Sequence, residues 1–213
     1  LYGYYPYTET AATDENGKVS IPVTAALEAK DATDYLYTGE TKGSKKAAAT
    51  AAGIAVSLKH ALARLRLNIS TDRPEYTADS YPVLQSIGFT TREGQTGTMD
   101  LQTGDITSDS PDTGTSVSSD YRNEASPLNL IPGTPGIQKD YLLLPYGHET
   151  ISALRRLTFS IKEPDGSEKD IVVFDEADAG ANTPPLIVLE AGSITTLLSL
   201  IHISEPTRHL RIS

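Results

Sequence analysis

His60-Ala61-Leu62-Ala63-Arg64-Leu65-Arg66-Leu67-Asn68-Ile69 is the stretch that decides how this chain folds. Ala61, Ala63, Leu65, Leu67 and Ile69 fall on one side of an extended backbone. His60, Leu62, Arg64, Arg66 and Asn68 fall on the other. Side chains alternate across a strand, so period two with arginines outward predicts a sheet with one dry face and one wet face.

Working outward, the same signals recur. Lys18-Val19-Ser20-Ile21 alternates after Asn16-Gly17, a strong hairpin-turn pair. Tyr81 to Phe89 and Gly97 to Leu101 read as further strands, with a turn at Thr103-Gly104 and a weak tail from Ile106. Asp140 to Pro145 is a short apolar strand closed by proline. Leu157 to Ile161 and Ile171 to Phe174 form a hairpin around Pro164-Asp165-Gly166, three residues that each favour a turn for a separate reason. Leu186 to Leu189 reads as the last strand before Gly192. Thr107 to Asn123 has almost nothing to bury and reads as a long loop or interdomain linker. Helical periodicity is scarce; the alanine-rich run Ala47 to Ala52 lacks an apolar stripe and stops at Gly53. Many short strands with glycine and proline punctuation predict an all-β chain of antiparallel sandwiches.

Composition bounds the function. The 213 residues are 38% hydrophobic and 22% charged, which fits one large or two small folded domains. The net charge of −10 disfavours nucleic-acid binding, which needs clustered Lys and Arg. No run approaches the ~18 apolar residues of a membrane-spanning helix. Cysteine is absent, which removes disulfides, thiolate nucleophiles and cysteine metal sites.

The chemical motifs are weak. Gly39-Glu40-Thr41-Lys42-Gly43-Ser44-Lys45 has the wrong spacing for a phosphate loop, and a flexible basic loop accounts for it. Asp14-Glu15-Asn16-Gly17 begins like a calcium loop, but Ala25 stands where the bidentate glutamate belongs. His60 and His148 are the plausible general bases, the first in a strand and the second in a loop. No G-x-S-x-G elbow supports a serine nucleophile. The expectation is therefore no enzyme, no catalytic or metal residues and no cofactor. The 11 tyrosines are the better lead, four of them within the first seven residues. A ring with a polar tip suits half-exposed sheet faces and recognition surfaces, and rim packing competes with glycan or protein contact through Tyr2 and Tyr5.

With these strands placed, the chain resembles the Bacteroidales fimbrillin-like proteins, the subunit class of type V pili. The carriers are Tyr4-Tyr5-Pro6-Tyr7, Asp34-Tyr35-Leu36-Tyr37, His60-Ala61-Leu62-Ala63 and Thr98 to Gly104. Leu142-Leu143-Leu144-Pro145 and Leu189-Glu190-Ala191-Gly192 complete the set. Tyr146 and Ser193 depart from it, where the family commonly has Gln and Lys. The resemblance implies two transthyretin-like (Greek-key) β-sandwich modules, over residues 1–112 and a partial 113–197, with a first strand and a lipidated leader ahead of Tyr4. It also implies a structural or adhesive fimbrial subunit at the cell surface or outer membrane. Its partners would be other fimbrial subunits, joined by strand donation, and surface glycans or proteins. The alternative is a carbohydrate- or protein-binding module that never polymerises. Residues Leu198 to Arg208, LSLIHISEPTR, resemble a translated sequencing-library adapter, so 198–213 is expected to be a non-native tail.

Overall fold

The computed structural model describes residues 2–15, 17–39, 56–72, 80–177 and 185–201, and the backbone of 209–212. Every helix or strand among the described residues is a strand. β1 (Tyr4–Tyr5), β2 (Ala12–Thr13), β3 (Val19–Thr24), β4 (Leu27–Glu28) and β5 (Leu36–Tyr37) come first. β6 (Lys59–His60) precedes the nine-residue strands β7 (Ala63–Thr71) and β8 (Val83–Thr91). β9 (Thr96–Asp100), β10 (Ile106–Ser108), β11 (Ser116–Asp120) and β12 (Leu128–Asn129) follow. The last are β13 (Ile137–Leu143), β14 (Leu154–Lys162), β15 (Glu168–Asp175), β16 (Ile194–Ile201) and β17 (His209–Ile212).

Two sheets make the larger sandwich. One runs β17-β16-β7-β13-β4; the other runs β11-β8-β14-β15, with β12 also on β8. β7 behaves as its alternation predicts: Ala63, Leu65, Leu67 and Ile69 are buried, while Arg64, Arg66 and Asn68 are half-exposed. They meet Leu84, Ile87 and Phe89 of β8, Tyr141 and Leu143 of β13, and Leu157, Phe159 and Ile161 of β14 in one core. Phe89 and Tyr141 cross edge to face at 4.9 Å. A second core holds Ile21, Val23, Met99 and Leu101 with Ala61, Leu62, Leu142 and Leu144. It is bordered by the sheets β10-β9-β3-β2 and β1-β5-β6.

Several expectations need correction. His60 to Ile69 is not one strand: His60 ends β6, and the chain breaks at Ala61 and Leu62 before β7 begins. Both of those residues are buried in the second core, so Leu62 does not share the wet face with the arginines. The second core gives them apolar neighbours, and the Ala61 N–H is taken by the Tyr35 carbonyl at 2.9 Å. Thr107 to Asn123 is not a bare linker. β11 lies within it, paired along Ser86 to Thr90 of β8, and Tyr121 is buried. Leu186 to Leu189 forms a single bridge, Leu189 to Tyr146, instead of a strand. The late strand is β16, after Gly192, and it runs parallel to β7 over eight residues. It continues across residue 198, where the adapter-like segment begins. β7 and β8, before residue 113, pair with β13 and β14, after it. The alanine-rich run and residues 40–45 lie outside the described residues.

The turns follow their sequences. Gly17 has φ +77°, and its N–H bonds the Asp14 carbonyl, closing the β2–β3 hairpin. Gly166, at φ +89°, closes the β14–β15 hairpin. Between β9 and β10, Asp100 accepts the Gln102 N–H at 2.8 Å and pairs with Lys18 at 3.0 Å. Burial pushes this carboxyl up, but the Gln102 N–H, the Lys18 ammonium and the Thr103 hydroxyl outweigh it and hold its pKa below the usual value. A lowered folded pKa contributes stability above the unfolded value of about 3.9, and that contribution fades as pH falls through the folded value. Asp100→Asn is expected to flatten that part of the acid-denaturation profile below about pH 4, measured by circular dichroism against the unaltered chain.

Candidate functional site

The histidine singled out from sequence lies in a small pocket where the second core stops covering the outer face of the β7–β13 sheet. His60 pairs with Leu36 of β5, so Asp34, two residues earlier, lies diagonally across from it. The Asp34 carboxylate meets His60 Nδ1 at 2.7 Å. Leu62 and Leu142 supply an apolar floor, and Arg64, Gly192, Ser193 and Ile194 complete the lining of a cavity of 140 Å³.

The chain closes this pocket through backbone contacts. The Gly192 N–H donates to the Leu62 carbonyl at 2.9 Å, and the Arg64 N–H donates to the Ser193 carbonyl at 2.9 Å. Gly192 has φ +71°, and a Cβ there would lie 3.4 Å from the His60 carbonyl oxygen. The positive φ is what favours glycine at this corner, since a Cβ at that distance would make only ordinary contact. Beside the pocket, Tyr5, Leu36 and His60 stand in one row across β1, β5 and β6.

Asp34, His60 and Ser193 are the residue types of a hydrolase set, and they share one lining. The imidazole is held by Asp34, and no hydrogen bond joins His60 to Ser193 among the described residues. His148 lies elsewhere, in an exposed loop, and its Nδ1 accepts the Thr150 N–H at 3.2 Å. No group of three His, Cys, Asp or Glu side chains that could hold a metal occurs among the described residues.

The tyrosines divide. Tyr2 and Tyr4 pack against the second core, while Tyr5 and Tyr7 are 58% and 78% exposed. Of the pocket residues, the sequence reading singled out His60 as a base but treated Arg64 as wet-face lining. Asp34 and Ser193 entered only as points of family likeness and difference. Their meeting depends on strand pairing across 26 residues and on the turn at Gly192, neither of which shows in local spacing.

A two-core, all-β sandwich protein with a small pocket beside His60 is the class that these features define. The chain belongs to the fimbrillin-like family, whose sequence model matches residues 1–197. Its fold is similar to that of a fimbrial protein from Bacteroides vulgatus, with TM-score 0.62 and 11% identity over 100% of this chain and 75% of that one. A candidate cell adhesion protein from Bacteroides uniformis gives TM-score 0.59 and 19% identity, over 100% of this chain and 71% of that one. Another from Bacteroides ovatus gives 0.54 and 13%, over 100% of this chain and 65% of that one. At these identities the likeness establishes the fold alone. No curated protein matches the chain by sequence.

Proposed function

We propose that the chain is a structural or adhesive subunit of a bacterial surface fimbria, exported to the outer membrane and joined to sister subunits by strand addition. Family membership supports the fimbrial part. The observation that carries the assembly part is β15. This eight-residue strand is hydrogen-bonded to β14 and is the outermost strand of its sheet among the described residues. The edge strands β2 and β4 are two residues long, β10 is three, β17 four and β11 five, so β15 offers the longest of these edges among the described residues.

The outer side of an edge strand is where another chain's backbone pairs in strand addition. Along β15, Ile171 is half-buried against the first core, so an incoming strand would gain apolar cover as well as a ladder. The net charge of −10 keeps free chains apart until that exchange occurs.

Ile171→Lys places a charged, inward-leaning side chain at this edge, a device that blocks edge pairing. Chemical cross-linking and gel filtration of the full chain are expected to show strand-joined oligomers that weaken about tenfold or more in this variant. Circular dichroism checks that the monomer stays folded. Oligomers of unchanged strength in a folded variant would contradict β15 as the acceptor edge, and freely reversible monomers alone would contradict assembly. The exposed Tyr5 and Tyr7 favour a second reading, a surface glycan- or protein-binding module that never polymerises. Glycan-array binding lost in Tyr5→Ala, with no oligomers at any stage, would favour it.

A further inference from the structure

The smaller core joins the larger sandwich at one end of β7. Ala61 and Leu62 are buried in the smaller core, and β7 starts at Ala63. β16 starts at that same end. The Gly192 N–H holds the Leu62 carbonyl and the Arg64 N–H holds the Ser193 carbonyl, both at 2.9 Å. From there β16 runs parallel to β7 through eight paired positions, from Ile194 with Arg64 to Ile201 with Thr71. The first four of these rungs precede residue 198. Both strands are fixed along their lengths. Leu65, Leu67, Ile69, Leu197 and Ile201 are buried in the larger core, and β13 pairs with β7 from Ala63 to Ile69. At the far end, the Thr71 hydroxyl donates to the Ile201 carbonyl at 3.2 Å.

Strand direction decides how this arrangement meets a pull. Ladder hydrogen bonds lie across the strands, so a pull along the strand axis slides one strand past the other and all rungs resist together. A crosswise pull opens the rungs one at a time, and each step meets little more than a single hydrogen bond. The smaller core sits where both strands start. A pull between it and the far end of β16 therefore runs along the axis, and the parallel register places the whole ladder in shear. We infer that the β7–β16 ladder is a mechanical clamp, which carries tension between the smaller core and the far end of β16. The clamp lies within one chain, so it is a property of the monomer. Its use in a fimbria, where joined subunits are pulled end to end, rests on the function proposed above.

Single-molecule force spectroscopy on the full chain tests this. Cysteine is absent, so two introduced cysteines give unique attachment points. Lys59→Cys with Leu200→Cys pulls along the ladder, because Lys59 lies at the shared start and Leu200 roughly 20 Å up the strand from Ile194. Lys59→Cys with Ile194→Cys pulls the two strands apart at that start and peels them. All three positions are exposed or half-exposed, and circular dichroism checks that each variant folds. At one loading rate the first pair is expected to unfold at about twice the force of the second, or more. Equal forces, or the weaker response along the axis, would overturn the clamp. A further variant places the resistance in the ladder itself. With the Arg64 N–H on the Ser193 carbonyl, the parallel register turns the Thr195 N–H toward the Arg64 carbonyl. Thr195→Pro deletes that donor and should lower the axial force toward the peeling value. A folded Thr195→Pro chain with unchanged axial force would overturn the ladder as the seat of resistance. The force ratio is read on monomers, so it stands or falls independently of whether chains assemble.

Discussion

Tyr141→Ala is expected to remove about 3–5 kcal/mol of folding stability, the range for deleting a large aromatic from a packed core. Tyr141 is fully buried on β13, edge to face with Phe89 on the opposing sheet, so its ring spans the space between the two layers. Its hydroxyl donates to Ser119 Oγ at 3.0 Å and lies 3.1 Å from the Tyr121 hydroxyl, which donates in turn. Burial pushes the pKa of both phenols up, so the chain of hydroxyls stays protonated through the neutral range. Lys139 covers the Tyr121 ring at 3.9 Å and pairs with Glu28 at 3.4 Å, closing the sandwich edge beside β4. Tyr141→Phe keeps the ring and removes only the hydroxyl, for a cost of about 1–3 kcal/mol through the partners left behind. Urea denaturation should separate the two variants clearly, and thermal unfolding should show a fall in Tm on the order of 10 °C for the alanine. Equal losses would mean that the hydroxyl chain, not the ring, holds the layers together.

Tyr141 also shows what the sequence could and could not disclose. β7 was legible because its apolar residues repeat at period two over nine residues, and that repeat survives as alternating burial. The β14–β15 hairpin was legible because Pro164, Asp165 and Gly166 each constrain the backbone locally. β11 was not, because Ser116 to Asp120 has the composition of a loop. It becomes a strand because β8 offers a ladder along Ser86 to Thr90. The parallel pairing of β16 with β7 joins residues 130 apart, Ile194 with Arg64 for example, and no local signal encodes it. The pocket fails for the same reason. Asp34 and His60 become neighbours only through β5–β6 pairing, and Ser193 only through the turn at Gly192. That one strand, β13, serves two cores is not visible in local spacing either, because it depends on which sheets meet each of its faces.

Leu144→Asp should expose that sharing. Successive residues on and just after β13 point to opposite sides: Tyr141 and Leu143 enter the larger core, Leu142 and Leu144 the smaller. Leu144 is 3% exposed, and its N–H is held by the buried Gln95 Oε1 at 2.9 Å. A carboxylate placed there has no cation to meet and costs several kcal/mol. The smaller core contains nine buried residues, two of them alanines, and cannot absorb such a loss by repacking. The larger core does not contain the altered side chain. Hydrogen exchange is therefore expected to lose protection in β3 and β9 while β7, β8 and β14 keep theirs. Leu143→Asp, one residue earlier and aimed the other way, should instead abolish protection in all of them. Simultaneous loss in both sets on Leu144→Asp would show that the cores unfold as one unit. Retention in both would show that β13 does not carry the smaller core.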